Sequence, residues 1–280
     1  MSRRARAPPK KSNTDKEPKK AKPEKDPFTT TKIEWTSPTL KYLRLTEKED
    51  DIVLGMISDS DPWSFDKFTK LQSAETDFLS FRHDSPICNG TQSQFISSII
   101  NSIQFKKLHA RMRCDLHCTE RFVSGLINKA NLTNAQVSIT LRGNEKDDFT
   151  DLRESLLKLP KFGKFTLEWD IVNSSSNSLI DDDVLFHIAS NVSHAELLGK
   201  SNCTAEGILG AFEIVCDSSS NKHVKFQALT SYLTPIFSDP RFEVKDGNVV
   251  DRARNAIIYV TSHESGYSTV WMCKNRMVQK

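Results

Sequence analysis

The sequence predicts an α/β fold, namely a leucine-rich-repeat-like solenoid of about six helix–strand units that ends in a small C-terminal antiparallel β segment. Two observations predict it. Short segments of alternating apolar and polar residues recur at steps of 28 to 30 residues between positions 79 and 224, and helix-like apolar stripes lie between them. Leucine-rich repeats occupy about 20–29 residues with a strand and a helix in each, so a constant step favours this architecture.

Six predicted strands carry the period. In each of them apolar residues alternate with polar ones, as in the segment 137–141, and this is typical of a strand with one buried face. The first apolar residues of the six segments are Leu79, Leu108, Val137, Phe165, Ala195 and Val224.

Five apolar stripes with helical spacing separate the predicted strands. They lie within residues 95–103, 122–127, 152–157, 184–188 and 208–215. Residue types that favour helix N-termini precede several of these stripes. The predicted caps are Ser93, Thr119, Asp147, Asp181 and Thr204.

One repeat also fits the leucine-rich-repeat template. Phe162, Phe165, Leu167 and Val172 occupy the apolar positions of L-x-x-L-x-L-x-x-N-x-L, with Asp170 in place of the asparagine. The other repeats fit the template poorly. An ordinary α/β domain whose strands are evenly spaced by coincidence is therefore the alternative.

Composition and pattern divide the chain into four regions. Residues 1–27 are rich in Lys, Arg, Pro, Ser and Thr and nearly free of apolar side chains, which predicts a disordered basic tail. Residues 28–75 are the expected N-terminal cap region, and residues 76–240 the α/β repeat domain. Residues 241–280 are the predicted C-terminal β segment, in which Asp246-Gly247 is a strong hairpin turn signal.

Positive charge is concentrated in the tail. Residues 1–25 contain ten basic and three acidic residues, whereas residues 26–280 contain 29 basic and 33 acidic ones, a net charge of −4. Basic pairs in such a tail are typical of nuclear import signals or nucleic-acid contacts, and a purely solubilising tail is an equal alternative. The pairs are Arg3 with Arg4, Lys10 with Lys11, and Lys19 with Lys20.

The apolar runs and cysteines indicate the compartment. No run approaches the roughly 18 apolar residues that span a bilayer, and the N-terminus lacks the apolar core of a secretory signal. Six scattered cysteines are too few for a disulfide framework. We therefore expect a nuclear or cytoplasmic protein without membrane contact.

The C-terminal pattern resembles that of a known family. Repeated helix–strand units followed by Asp246-Gly247, Ala256-Ile257-Ile258 and Val270-Trp271 resemble the C-terminal halves of nematode F-box-associated proteins. The resemblance covers roughly residues 75–273, which is the repeat region and not an F-box. It implies a substrate-recognition role related to that of ubiquitin-ligase adaptors.

Sequence motifs of enzymes are missing. The sequence contains no nucleotide-binding, zinc-protease or nucleophile-elbow motif, so we expect a protein that is not an enzyme and uses no cofactor or small-molecule substrate. Cys114, His117 and Cys118, with His109 nearby, are metal-ligand residue types. A zinc site usually has four ligands, however, and buried cysteines are the more common outcome of such spacing.

The outward face of the strands is the expected functional surface, because solenoids bind partners on such extended faces. We predict a protein–protein interaction module. The alternative is a nucleic-acid- or chromatin-associated protein that makes weak contacts through its basic tail. The predicted partner-binding residues are Arg82, His109, Arg111, Arg113, Thr140, Arg142 and Glu168.

The four arginines of this set come from three consecutive repeats and are expected to converge. Arginine binds carboxylates through two parallel hydrogen bonds, so their convergence predicts an acidic partner segment. In the alternative interpretation, Asp84, Asp115 and Glu168 compensate these charges within the chain.

Overall fold

A computed structural model describes residues 30–36, 43–48, 51–56, 62–63, 74–84, 96–97, 99–101, 103–129, 132–143, 147–169, 179–263 and 265–274. The tail residues predicted for nuclear import or nucleic-acid contact lie outside these ranges. They are Arg3, Arg4, Lys10, Lys11, Lys19 and Lys20.

The strands form two sheets. In the larger sheet eleven strands follow the order β1-β5-β6-β7-β8-β9-β10-β14-β13-β12-β11, and β2, β3 and β4 form the smaller one. The strands are β1 (Thr30–Thr36), β2 (Leu43–Lys48), β3 (Asp51–Met56), β4 (Pro62–Trp63), β5 (Ala74–Asp84), β6 (Ile103–Asp115), β7 (Leu132–Arg142), β8 (Phe162–Trp169), β9 (Val192–Lys200), β10 (His223–Leu229), β11 (Glu243–Lys245), β12 (Asn248–Asp251), β13 (Ala256–Ser262) and β14 (Tyr267–Lys274).

Helices occupy the connections between the larger sheet's strands. They are α1 (Leu116–Ile127), α2 (Thr150–Leu156), α3 (Asp182–Asn191), α4 (Ala205–Asp217) and α5 (Thr234–Phe237), with a 3₁₀ turn at Thr230–Leu233. Residues 96–97 and 99–101 are also helical and precede β6.

The predicted solenoid is wrong. Among the described residues, the larger sheet is a mixed sheet of mostly consecutive strands with interleaved helices, and strands dominate over helices. Strands β5 to β10 are parallel and adjacent in chain order, and they include the six positions that carry the period. The period did not reveal the architecture, because any parallel sheet with equal single-helix crossovers between neighbouring strands repeats at a constant step.

The C-terminal strands also correct the prediction. They do not form a separate β segment that closes a solenoid. Instead β14 pairs antiparallel with β10 over seven residue pairs, from His223 opposite Cys273 to Leu229 opposite Tyr267, and so continues the same sheet. At the other end β1 pairs antiparallel with β5.

The core lies between the sheet and the helices. Leu108, Ala110, Met112 and Cys114 alternate along β6 and are buried, and the same alternation continues through β7 to β10. Right-handed crossovers between strands in consecutive order place all connecting helices on the same side of the sheet. One face of the sheet therefore packs against helices, and the side chains that alternate with the core residues point the other way.

Two of the five predicted helix caps are confirmed. Asp181 and Thr204 accept a hydrogen bond from a backbone N–H in the first turn of α3 and α4. Thr119 lies inside α1, where Asp115 is the cap, and Asp147 precedes the N-cap position of α2. Ser93 lies outside the described residues.

Candidate functional site

The face of the larger sheet that points away from the helices is the candidate site, and we call its part on β6–β10, β13 and β14 the open face. Apart from Asp115 and Arg142, which lie opposite each other at the carboxyl ends of β6 and β7, its described side chains include six Lys or Arg residues and two carboxylates. The cations are Lys107, Arg111, Arg113, Lys164, Lys200 and Lys225, and the carboxylates are Glu168 and Glu196.

Most of the predicted partner-binding residues lie on this face. His109, Arg111 and Arg113 occupy alternate positions of β6, with His109 and Arg111 exposed. Thr140 on β7 lies opposite Arg113 of β6, and Glu168 on β8 lies opposite Thr140. The Thr140 hydroxyl donates a 3.5 Å hydrogen bond to Glu168 Oε2.

The other two predicted residues differ from this group. Arg82 pairs with Arg111 through the strand backbone, but its side chain lies outside the described residues. Arg142 is opposite Asp115 at the carboxyl ends of the strands, where it lines a cavity beside α1. Of the four arginines that were predicted to converge, the described side chains place only Arg111 and Arg113 beside each other on the same face.

The second part of the open face is a row of aromatic rings that the sequence analysis missed. His194 on β9 lies 5.3 Å from His223 on β10, measured between ring centroids. Trp271 on β14 lies 6.3 Å from His223 and 5.5 Å from Tyr259 on β13. The Trp271 side chain is 42% exposed, so it presents a large apolar surface to solvent. We call His194, His223, Trp271 and Tyr259 the ring row.

Charged groups hold one end of the ring row in place. Glu196 lies 3.1 Å from His194 Nε2 and 3.3 Å from Lys164 Nζ. Burial of Glu196 opposes its ionisation, but hydrogen bonds from His194 and Lys164 outweigh this effect and lower its pKa. Glu196 is therefore ionised and fixes the orientation of both partners.

His223 has the opposite environment. Burial lowers its pKa, and the neighbouring His194 lowers it further. Its Nδ1 atom is buried without a hydrogen-bond partner. The adjacent residue on β14, Cys273, is buried, and burial raises the pKa of its thiol to about 11. The imidazole of His223 is therefore neutral at pH 7, and Cys273 is a thiol.

The cavity at the carboxyl ends of β6 and β7 is acidic. It has a volume of about 760 Å³ and is lined by Asp115, Glu120, Asp147, Asp148 and Asp151, among others. Burial raises the pKa of Glu120 to about 7, and the surrounding aspartates add to the shift. Such a carboxyl group carries a proton more often than an exposed one at neutral pH.

The suggested metal ligands do not converge. Cys114 and Cys118 are buried in the core, whereas His117 is exposed on α1 and His109 lies on the open face. Within the described ranges, no group of three or more His, Cys, Asp or Glu residues is placed to hold a metal ion. No helix in the same ranges is long and apolar enough to cross a membrane.

A repeated histidine position is the signal that could have revealed the ring row. His194 and His223 are 29 residues apart and occupy equivalent positions of consecutive strands. Trp271 and Tyr259 join them through antiparallel pairing, which the solenoid hypothesis did not include.

Comparison of the chain with protein-family models, curated proteins and solved structures found no match.

Proposed function

We propose that this protein is a protein–protein interaction module that binds its partner on the open face. The observation that carries the proposal is the distribution of charge. Residues 26–280 have a net charge of −4, yet the described part of the open face holds six Lys or Arg residues against two carboxylates, besides the opposed pair Arg142 and Asp115. Cations gathered on one face of an acidic body favour a partner with negative charge through electrostatic complementarity.

The dimensions of the open face support this proposal. It extends over six strand-to-strand steps from β6 to β13, or about 29 Å at about 4.8 Å per step. Each strand contributes a length of about 20 Å, so the area of the open face is about 600 Å². Standard protein–protein interfaces bury about 800 Å² per partner, so the face is large enough to form most of one.

Variants that change charge on opposite sides of the sheet test the proposal. Arg111→Gln with Arg113→Gln removes two cations from the open face. Lys158→Gln with Lys161→Gln removes two exposed cations from the connection between α2 and β8 and serves as the matched control. We expect the first pair to reduce the proteins captured from a cell extract at least tenfold relative to wild type. The control pair should leave capture unchanged.

The readout is quantitative mass spectrometry of the captured proteins, together with the melting temperature of each variant. Capture that is equal for all three proteins would contradict binding on the open face. Loss of capture accompanied by a lowered melting temperature would assign the arginines to stability instead. Cullins and their F-box-binding adaptors among the lost proteins would extend the proposal to substrate recognition for a ubiquitin ligase.

A further inference from the structure

Two buried polar atoms of the open face lack hydrogen-bond partners. Among the described side chains these atoms are Arg113 Nε on β6 and His223 Nδ1 on β10. A buried donor or acceptor without a partner destabilises the fold, and such atoms are rare in folded proteins. Both lie on the open face, four strand steps apart, so a molecule bound across the face can satisfy both of them.

The separation of these two atoms sets the size of that molecule. Arg113 and His223 are four strand steps apart across the sheet. Along the strand direction they also differ, because His109 lies in the same row of paired residues as His223 and Arg113 is four residues further along β6. These steps correspond to about 19 Å and about 13 Å, so the diagonal is about 23 Å. An extended peptide of about seven residues has this length.

The surface between the two ends is lined by small side chains. Ser138 and Thr140 on β7 and Thr166 on β8 occupy open-face positions between β6 and β9, and each is only partly exposed. Two larger groups border this surface, namely Glu168, which accepts a hydrogen bond from Thr140, and Glu196, which is held by Lys164 and His194. An extended chain could therefore cross this part of the face without displacing a bulky side chain.

The two ends differ in chemistry. Arg113 and its exposed neighbour Arg111 present guanidinium groups, which bind carboxylates through paired hydrogen bonds. At the other end Trp271 presents apolar surface beside the neutral His223, a combination that suits an aromatic or large aliphatic anchor.

We propose that the open face binds an extended acidic peptide segment of about seven residues. Its carboxylates contact Arg111 and Arg113, and an aromatic or large apolar side chain packs on the ring row at Trp271 and His223. This inference rests on the proposed function and adds the length, the extended conformation and the apolar anchor of the acidic partner.

A peptide fits this surface better than single-stranded nucleic acid. Nucleic-acid strands bind along continuous cationic grooves that track the phosphates. Here Glu168 on β8 and Glu196 on β9 interrupt the cations of β6, β8, β9 and β10. These carboxylates would repel a phosphate backbone that crosses the face, whereas a peptide can place neutral residues over them.

Selection from a random library of displayed 12-residue peptides on the immobilised full chain tests the proposal. We expect enriched peptides to combine acidic residues with an aromatic or large apolar residue at a spacing of about five to seven positions. Peptides made from these sequences should bind wild type and the Lys158→Gln, Lys161→Gln control equally, as measured by fluorescence anisotropy. Arg111→Gln with Arg113→Gln, and separately Trp271→Ala, should each weaken binding at least tenfold.

Each alternative outcome has a distinct meaning. Absence of enrichment, or enriched peptides without the acidic and apolar elements, would overturn the proposed segment. If Trp271→Ala and the conservative Trp271→Leu leave binding unchanged while the arginine pair abolishes it, the anchor is wrong but the open face still binds. Tighter binding of a random single-stranded 20-nucleotide pool, lost in Trp271→Ala, would replace the peptide with nucleic acid. Melting temperatures within about 2 °C of wild type exclude misfolding of the variants.

Discussion

At the residue scale, buried lysines complete the ends of helices. Lys129 Nζ donates to the carbonyl of Ile103 at 2.9 Å and also to that of Asn101, the last described helical residue before β6. Lys222 Nζ donates to the carbonyl of Ser190 at 2.6 Å, near the C-terminus of α3. The carbonyls at a helix C-terminus have no partner within the helix and carry partial negative charge, so an ammonium group stabilises them.

These lysines could not be identified from the sequence. Each lies in a short connection where a lysine is usually solvated, and its acceptors are 26 to 33 residues away along the chain. The open-face positions of His109, Arg111 and Arg113 could be predicted, because strand alternation alone determines them. Local patterns reveal which face a side chain occupies, but not its long-range partner.

Replacement of Lys222 tests its role at the end of α3. Lys222→Met leaves the carbonyls of Ala189 and Ser190 without their ammonium donor, so we expect a loss of about 1–3 kcal/mol in the free energy of unfolding. Urea denaturation followed by circular dichroism measures it. Lys245→Met, at an exposed position on β11, is the control, and an equal effect of both variants would contradict the capping role.

The carboxyl group of Glu120 makes stability depend on pH. Its pKa rises from 4.5 to about 7 because of burial and the nearby aspartates. Between these two values the folded state binds more protons than the unfolded one, so the free energy of unfolding falls as pH rises. We expect Glu120→Gln to be more stable than wild type at pH 7.5 by up to about 1 kcal/mol after allowance for solvent screening. The difference should disappear below about pH 4.5.

Thermal unfolding of wild type and Glu120→Gln at a series of pH values checks this expectation. A difference in stability that stays constant from pH 4 to pH 8 would show that Glu120 is not the titrating group.

At the element scale, polar caps join one helix to the next. Asp182, in the first turn of α3, accepts hydrogen bonds from the backbone N–H of Thr204 at 2.8 Å and from its hydroxyl at 2.7 Å. Thr204 in turn caps α4, while Asp181 caps α3 and pairs with Arg153 of α2 at 2.7 Å. The capping residues were recognisable from the sequence. The hydrogen bonds that join one cap to the next helix were not, because they depend on which helices are neighbours in the fold.

Gly207 permits the contact between α3 and α4. A Cβ atom at this position would lie 1.9 Å from Asp182 Oδ1, so the carboxylate would have to move away from Thr204. Glycine-to-alanine changes inside helices usually stabilise by about 1 kcal/mol. We expect Gly207→Ala to destabilise the protein instead, by about 1–2 kcal/mol, because the hydrogen bonds to Thr204 are lost.

A double-mutant cycle isolates this effect. Once Asp182→Ala has removed the carboxylate, Gly207→Ala should become neutral or stabilising in urea denaturation, since nothing is left to displace. Additive losses in the double variant would show that Gly207 is required for another reason.

At the scale of the whole molecule, strand positions were predictable and their assembly was not. The period marked β5 to β10, because alternation and spacing are local properties of the chain. The sheet order at the C-terminal end was missed, since pairing of β14 with β10 joins residues 38 to 50 positions apart and leaves no local trace. The ring row was missed for the same reason, because half of it lies on β13 and β14.

The antiparallel end of the sheet is also tied to the helical layer. Arg254, after β12, donates to Asp251 at 2.7 Å and to Asp217 at the end of α4 at 3.3 Å, and it pairs with Glu213 of the same helix. The side chains of Arg254 and Glu213 are both about one third exposed, so this network is screened less than an isolated surface pair.

Cooperative unfolding of the sheet is the consequence that distinguishes it from a solenoid. Stacked repeats contact only their neighbours and can unfold in parts. Here one contiguous core extends from Leu79 on β5 to Met272 on β14. We therefore expect amide hydrogens of β8 and β14 to exchange through the same global opening in native-state hydrogen exchange at rising urea concentrations. Arg254→Met should speed exchange in β6–β9 and in β12–β14 by a similar factor, because loss of its ion pairs with Glu213, Asp217 and Asp251 lowers the free energy of the single global opening that all these strands share. Arg252→Met, which breaks an exposed pair with Glu243, should have little effect. Wild-type β12–β14 amides that exchange through a lower-energy opening than β6–β9 would show that the two parts of the sheet unfold independently.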